Sequence, residues 1–138
     1  MATLSVRFKD PYVYERLGRQ AQGASLSSLA ERLIDEGLRM ATHARIVFRP
    51  GPTGRRAGLA AGPDVWEVIS VVHDQEGSLE ERMATTAQLL DLPLHWVQSA
   101  VGYYAEFTEE IDARIEANQR ADRECFAAWE RARDLLSR

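Results

Sequence analysis

The residues able to do chemistry are mostly dispersed along this chain. His43, His73 and His95 share no His-x-x-x-His spacing, and Cys125 is the single cysteine. A zinc site needs three or four such ligands at close spacing, so the sequence predicts no metal. Cys125 falls on an apolar helical face, which favours a buried structural thiol over a nucleophile. Glu80–Glu81 and Glu109–Glu110 fall in first turns of expected helices, where carboxylates complement the helix dipole. No glycine-rich phosphate loop precedes a helix in the required context. The expectation is therefore a protein that is not an enzyme and has no cofactor. One stretch stands apart: Thr3, Ser5 and Arg7 alternate with Leu4, Val6 and Phe8. Strict alternation predicts a strand with one apolar face and one polar face. Its polar face carries two hydroxyls and a guanidinium, groups suited to hydrogen bonding with base edges.

Two helices must hold that strand in place. In "DPYVYERLGRQAQG", Asp10 is an N-cap, Pro11 fits the first helical position and Gly23 ends the helix. Val13, Leu17 and Ala21 share a face. A second helix starts in "SLSSLAERLIDEGLRM" with Ser25 as cap. Its apolar stripe is broad: Leu26, Leu29, Ala30, Leu33, Ile34, Gly37 and Leu38. Gly18 inside the first helix costs about 1 kcal/mol relative to alanine. About forty residues bury too little surface to fold alone, and a single strand has no partner for its backbone. Antiparallel pairing with a second copy of itself removes both deficits. A homodimer would bury Leu4, Val6 and Phe8 and present Thr3, Ser5 and Arg7 twice. Such a two-stranded ribbon fits the DNA major groove. The start of the second helix, at Ser25, Leu26 and Ser27, offers unpaired backbone N–H groups to a phosphate. The alternative is a mate within the chain, for which "RIVF" at 45–48 is the candidate.

Residues 3–39, "TLSVRFKDPYVYERLGRQAQGASLSSLAERLIDEGL", resemble the ribbon-helix-helix family of dimeric bacterial repressors and antitoxins. Carried over by position, the resemblance makes Thr3, Ser5 and Arg7 the base readers and operator DNA the partner. It assigns Leu26 and Ser27 to a phosphate.

The rest of the chain reads as a second module. "RIVFR" and "RRAGL" flank "PGPTG", a hairpin pattern with a Pro/Gly turn. Asp64 caps a helix bearing Val65, Val68, Ile69 and Val72 on one side, and Gly77 ends it. Ser78 and Glu81 have capping-box spacing before a face of Leu79, Met83, Ala87 and Leu90. A third helix, capped by Asp91, is expected to bury Leu94, Val97, Val101 and Tyr104. Three short helices with tight turns predict a helix-turn-helix-like bundle. Its last helix exposes His95, Gln98 and Ser99 but no Arg or Lys, which argues against DNA binding there. Trp66, Trp96 and the Tyr103–Tyr104 pair read as core and capping residues. "GLAAGPDVWEVI" and "GSLEERMATTAQLLDLPLHWVQSAVGYYAEFTEEID" resemble the domain of unknown function four-three-three, a small antitoxin-type module. The hairpin loop departs from that family's usual turn. The resemblance implies a PIN-like ribonuclease toxin as partner.

From Thr108 onward no Gly or Pro interrupts helical spacing. Ile111, Ile115, Phe126 and Trp129 mark an amphipathic helix that needs a groove, either by folding back on the bundle or by packing on a partner protein. The resemblance to nuclease-neutralising antitoxins makes Arg131 and Arg133 the candidates to reach the acidic metal site of a nuclease; the alternative is a solvated helix face. The partner-binding expectation rests on these six residues.

The expected organisation is mainly α in three parts. Residues 1–42 form a ribbon-helix-helix unit of one strand and two helices, intertwined in a dimer. Residues 43–107 form a hairpin and a three-helix bundle, and 108–138 a long C-terminal helix. Segment charges of +1 for 1–42, 0 for 43–77 and −5 for 78–138 suit nucleic acid at one end and a basic partner at the other. A lone cysteine, no leader and no apolar run of spanning length predict a cytoplasmic protein with no membrane partner. The expected function is antitoxin and autorepressor, with a stand-alone repressor lacking any toxin as the alternative.

Overall fold

The computed structural model describes residues 1–138, and the chain divides into two compact units, Met1–Ala41 and Thr42–Arg138. It is mainly helical, with six helices and one two-stranded antiparallel hairpin. No helix is long and apolar enough to cross a membrane.

The first unit holds α1 (Pro11–Ala21) and most of α2 (Leu26–Thr42). The Asp10 carboxylate accepts the Tyr12 N–H at 2.9 Å, and Pro11 occupies the first turn at no hydrogen-bond cost. The chain leaves α1 through two successive left-handed residues, Gln22 at φ 48° and Gly23 at φ 83°. At α2 the Ser25 hydroxyl accepts the Ser28 N–H at 3.3 Å. Residues 3–8 belong to no sheet in the single chain, because the one sheet pairs two later strands.

Those strands are β1 (Ile46–Arg49) and β2 (Arg56–Leu59), in register from Ile46 opposite Leu59 to Arg49 opposite Arg56. "RIVF" is thus taken by "RAGL", not by residues 3–8. The intervening loop turns through Gly54 at φ 104°. Four helices complete the unit: α3 (Val65–Asp74), α4 (Leu79–Leu89), α5 (Leu94–Glu106) and α6 (Thr108–Leu136). They enclose a core in which Leu59, Val65, Val68, Val97, Ala100 and Tyr103 are wholly buried. The capping box at α4 is formed in full: Glu81 N–H to Ser78 Oγ at 3.2 Å and Ser78 N–H to Glu81 Oε2 at 3.0 Å.

Several local expectations give way to longer-range interactions. α3 ends at Asp74, with Gln75 as its C-cap, two residues before Gly77. Asp64 holds the N-cap position of α3, but its side chain makes no cap bond. It is drawn instead to Arg49, at 3.3 Å, and to Arg56. Asp91 does not cap α5; it sits at φ 52° in the preceding turn, and Pro93 stands at the cap. Leu94 and Leu79 lie exposed, not in the core. The tyrosine pair ties α5 to α6. Tyr103 donates to Glu110 at 2.8 Å from the core, and the half-buried Tyr104 donates to Asp112 at 2.7 Å. That bond, with some desolvation, holds the Tyr104 phenol above its ordinary pKa.

The boundary expected at residue 108 does not separate a free helix from a finished domain. Ile111 lies in the core and Ile115 packs against it. The first turns of α6 therefore complete the second unit. Its later turns, from about residue 119, extend past the core with mostly exposed side chains, Cys125 among them, so that thiol is not buried as expected.

Candidate functional site

Two surfaces carry the sequence-derived site residues. The first is the N-terminal segment. Thr3, Ser5 and Arg7 are exposed. Their apolar alternates are exposed as well: Leu4 is 77%, Val6 58% and Phe8 40% accessible. Across the unit, Val13, Leu33, Ile34 and Leu38 are also exposed, and Ala21 and Leu29 are its only buried apolar side chains. An apolar stripe of this breadth on a folded helix pair is far from the scattered exposure common on soluble surfaces. At the start of α2, Ser28 N–H is satisfied by Ser25 and Leu29 N–H by the Ser25 carbonyl, 3.1 Å away. The N–H groups of Leu26 and Ser27 belong to the first turn, where helix geometry supplies no carbonyl acceptor. Leu26, Ser25 and Ser27 are all exposed.

The second surface is the distal half of α6. Phe126 and Trp129 are 60% and 54% accessible, and their rings stack at 5.9 Å between centroids. The Arg133 guanidinium lies 5.0 Å from the Trp129 ring centroid, a cation–π contact one turn further on, and also meets Asp134 at 3.5 Å. Arg131 is exposed. Of the six residues assigned to partner binding, these four share the projecting half of the helix. Ile111 and Ile115 do not join them. Core packing takes both, because α6 supplies a wall that the three shorter helices lack.

α5 exposes His95 and Gln98, and a basic side chain reaches it from elsewhere. Arg45 donates to Ser99 Oγ at 3.2 Å and lies 5.9 Å from the Trp96 ring centroid. His43 reaches Glu106 at 2.5 Å and sets its ring edge-on to Tyr103 and Phe107. His73 packs edge-on to Tyr104. His43 and His73 are thus packing residues at element junctions. No group of three or more His, Cys, Asp or Glu side chains could hold a metal ion.

A third feature was not legible in the sequence. Arg49 and Arg56 converge on the buried Asp64, and Arg49 also donates to the Leu59 carbonyl. Gly58 makes the convergence possible. A Cβ there would collide with the Arg49 guanidinium and stand 3.1 Å from the Asp64 carboxylate. Beside this cluster, Glu67 is pushed above the ordinary carboxylate range by burial and by the negative charge of Asp64. A cavity opens next to it, lined by residues from the hairpin, α3 and α6. Arg114 meets Thr53 there from 61 positions away, so no motif spacing announces the site.

Compared with known protein families, with curated proteins and with solved structures, the chain matches none.

Proposed function

We propose that this protein is an antitoxin that also represses its own operon. Residues 1–42 dimerise through paired strands at 3–8, and the ribbon enters the major groove of operator DNA. Thr3, Ser5 and Arg7 from both copies face base edges, and Leu26 and Ser27 N–H groups hold a phosphate beside Ser25. The projecting half of α6 binds a PIN-like ribonuclease, with Phe126 and Trp129 as anchors. Arg131 and Arg133 are directed to the acidic residues of its metal site. Aromatic and arginine side chains are the types that dominate protein interfaces.

The observation that carries this reading is the uncovered apolar face of the first unit. Leu4, Val6 and Phe8 alternate with polar residues, have no strand partner in their own chain, and stand beside a helix pair with an exposed apolar stripe. A second copy satisfies the backbone and the stripe together.

The test is affinity capture of the tagged protein from its host, with mass spectrometry of what co-elutes, beside a gel-shift assay on its own promoter. A stoichiometric small nuclease together with a promoter shift supports the antitoxin. A promoter shift with the protein recovered alone turns the reading to a stand-alone repressor. No shift and no dimer overturn both. Phe126→Ala with Trp129→Ala is the variant that should lose the nuclease and keep the shift. Truncation at Thr108 would serve badly, since it removes Ile111 from the core.

A further inference from the structure

Within the unit Thr42–Arg138, a cavity of about 380 Å³ lies between the hairpin loop, the start of α3 and residues 114–121 of α6. That size falls in the range of small-molecule sites. Its walls are of three kinds, one of them the carboxylates of Asp64, which Arg49 and Arg56 hold, and Glu67. Trp66, Ala117 and Ala121 give it an apolar part. Arg56, Arg114 and Asn118 supply donors.

The donors are held in place. Arg56 is fixed by its Nε on the Asp64 carboxylate and by Nη1 on the Pro50 carbonyl at 3.0 Å. Arg114 is fixed by Nη1 on the Thr53 hydroxyl, which ties α6 to the hairpin loop. Each guanidinium has five N–H donors, so each keeps some for a ligand. The Asn118 amide and the Trp66 indole N–H make no side-chain hydrogen bond within the chain. Among the lining residues Arg56 and Arg114 stand against Asp64 and Glu67, and Arg49, outside the lining, shares the Asp64 carboxylate with Arg56. A held arginine beside a tryptophan face favours a planar anion, through bidentate bonds and stacking.

We propose that this cavity binds a small planar organic anion, an aromatic carboxylate in class, with its ring against Trp66 and its carboxylate on Arg114 and Asn118. The site lies wholly within one unit of one chain. It stands whether or not the ribbon binds DNA and the tail binds a nuclease.

The test is titration of the full chain with benzoate, followed through the tryptophan indole signals in nitrogen-edited proton NMR. A Trp66→Phe variant assigns the Trp66 signal. The expected result is a saturating shift of Trp66 with Trp96 and Trp129 unmoved, and no saturation with neutral benzyl alcohol. Arg114→Gln should weaken benzoate by roughly tenfold, the size expected for one charge-assisted hydrogen bond. Ala121→Leu changes no charge and fills the cavity, so it should abolish saturation while the spectrum stays dispersed. A linear, non-saturating shift with benzoate overturns the proposal. So does equal saturation by benzyl alcohol, or binding unchanged in both Arg114→Gln and Ala121→Leu.

Discussion

The two units of this chain treat similar apolar patterning in opposite ways. In Thr42–Arg138, helices of ten to thirteen residues close with the hairpin and the start of α6 around side chains with no accessible surface. In Met1–Ala41 an equally regular stripe stays open, with Ile34 and Leu38 at 50% and 65% accessible. The difference is topological. Two helices and a segment outside any sheet have no third layer to lay over their apolar face, whereas four helices and a hairpin do. A stripe that closes in its own chain is a core; one that cannot is, on the proposed reading, an interface whose stability depends on protein concentration.

The largest effect should come from placing a charge in the open stripe. Val6→Asp would bury an unpaired carboxylate in the proposed paired ribbon, at a cost of about 3–5 kcal/mol per chain. Sedimentation should show monomer, and circular dichroism should lose the helix signal of the first unit alone. A dimer of unchanged helicity would erase the contrast between the units.

Tyr103→Ala strikes the closed core instead. Removing a wholly buried ring should cost about 3–5 kcal/mol, read as a lower melting transition for the second unit with dimerisation retained. Tyr103→Phe, which removes only the hydroxyl donated to Glu110, should cost about 1 kcal/mol. Equal losses in the two variants would mean that the ring is not what closes the core.

Arg7→Ala sharpens the functional side of the contrast. Arg7 is on the polar face, so its loss should leave folding and dimerisation intact. Operator affinity should fall by about 1–3 kcal/mol per half-site contact. A fall in dimer stability of the same size would place Arg7 in the interface and not on the groove.

What could be read from the sequence depends on the range of the interactions involved. The α4 capping box was legible because Ser78 and Glu81 are three residues apart and satisfy each other. The hairpin was legible from the Pro/Gly turn and short apolar runs. Asp64 misled because a local rule, the N-cap preference, competes with two arginines eight and fifteen residues away, and charge wins over a single N–H. Ile111 and Ile115 misled for a related reason. An amphipathic stripe shows that a helix must be covered, but not by what. The cavity at Trp66, Arg56 and Arg114 had no signal at all, since only the folded chain brings its walls together. The open stripe of the first unit was legible for the opposite reason. Its missing layer is a deficit of the sequence itself.

The smallest effect belongs to Glu67, and it has a sign that can be checked. Its folded pKa is raised by burial first and by Asp64 second, while nearby Arg56 and Arg49 oppose the shift. Between the unfolded and folded values, the native state then binds more protons than the unfolded one. The stability of the second unit must fall as pH rises through that window. Glu67→Gln removes the ionisation. It should be neutral at acid pH, below both values, and slightly stabilising at neutral pH, by less than about 0.5 kcal/mol for a group this accessible to solvent. Paired thermal melts of the wild type and the variant at acid and neutral pH measure the difference. A variant less stable at neutral pH would mean that the Glu67 carboxylate is held by the arginine cluster, and that the cavity beside it is a poorer place for a second anion.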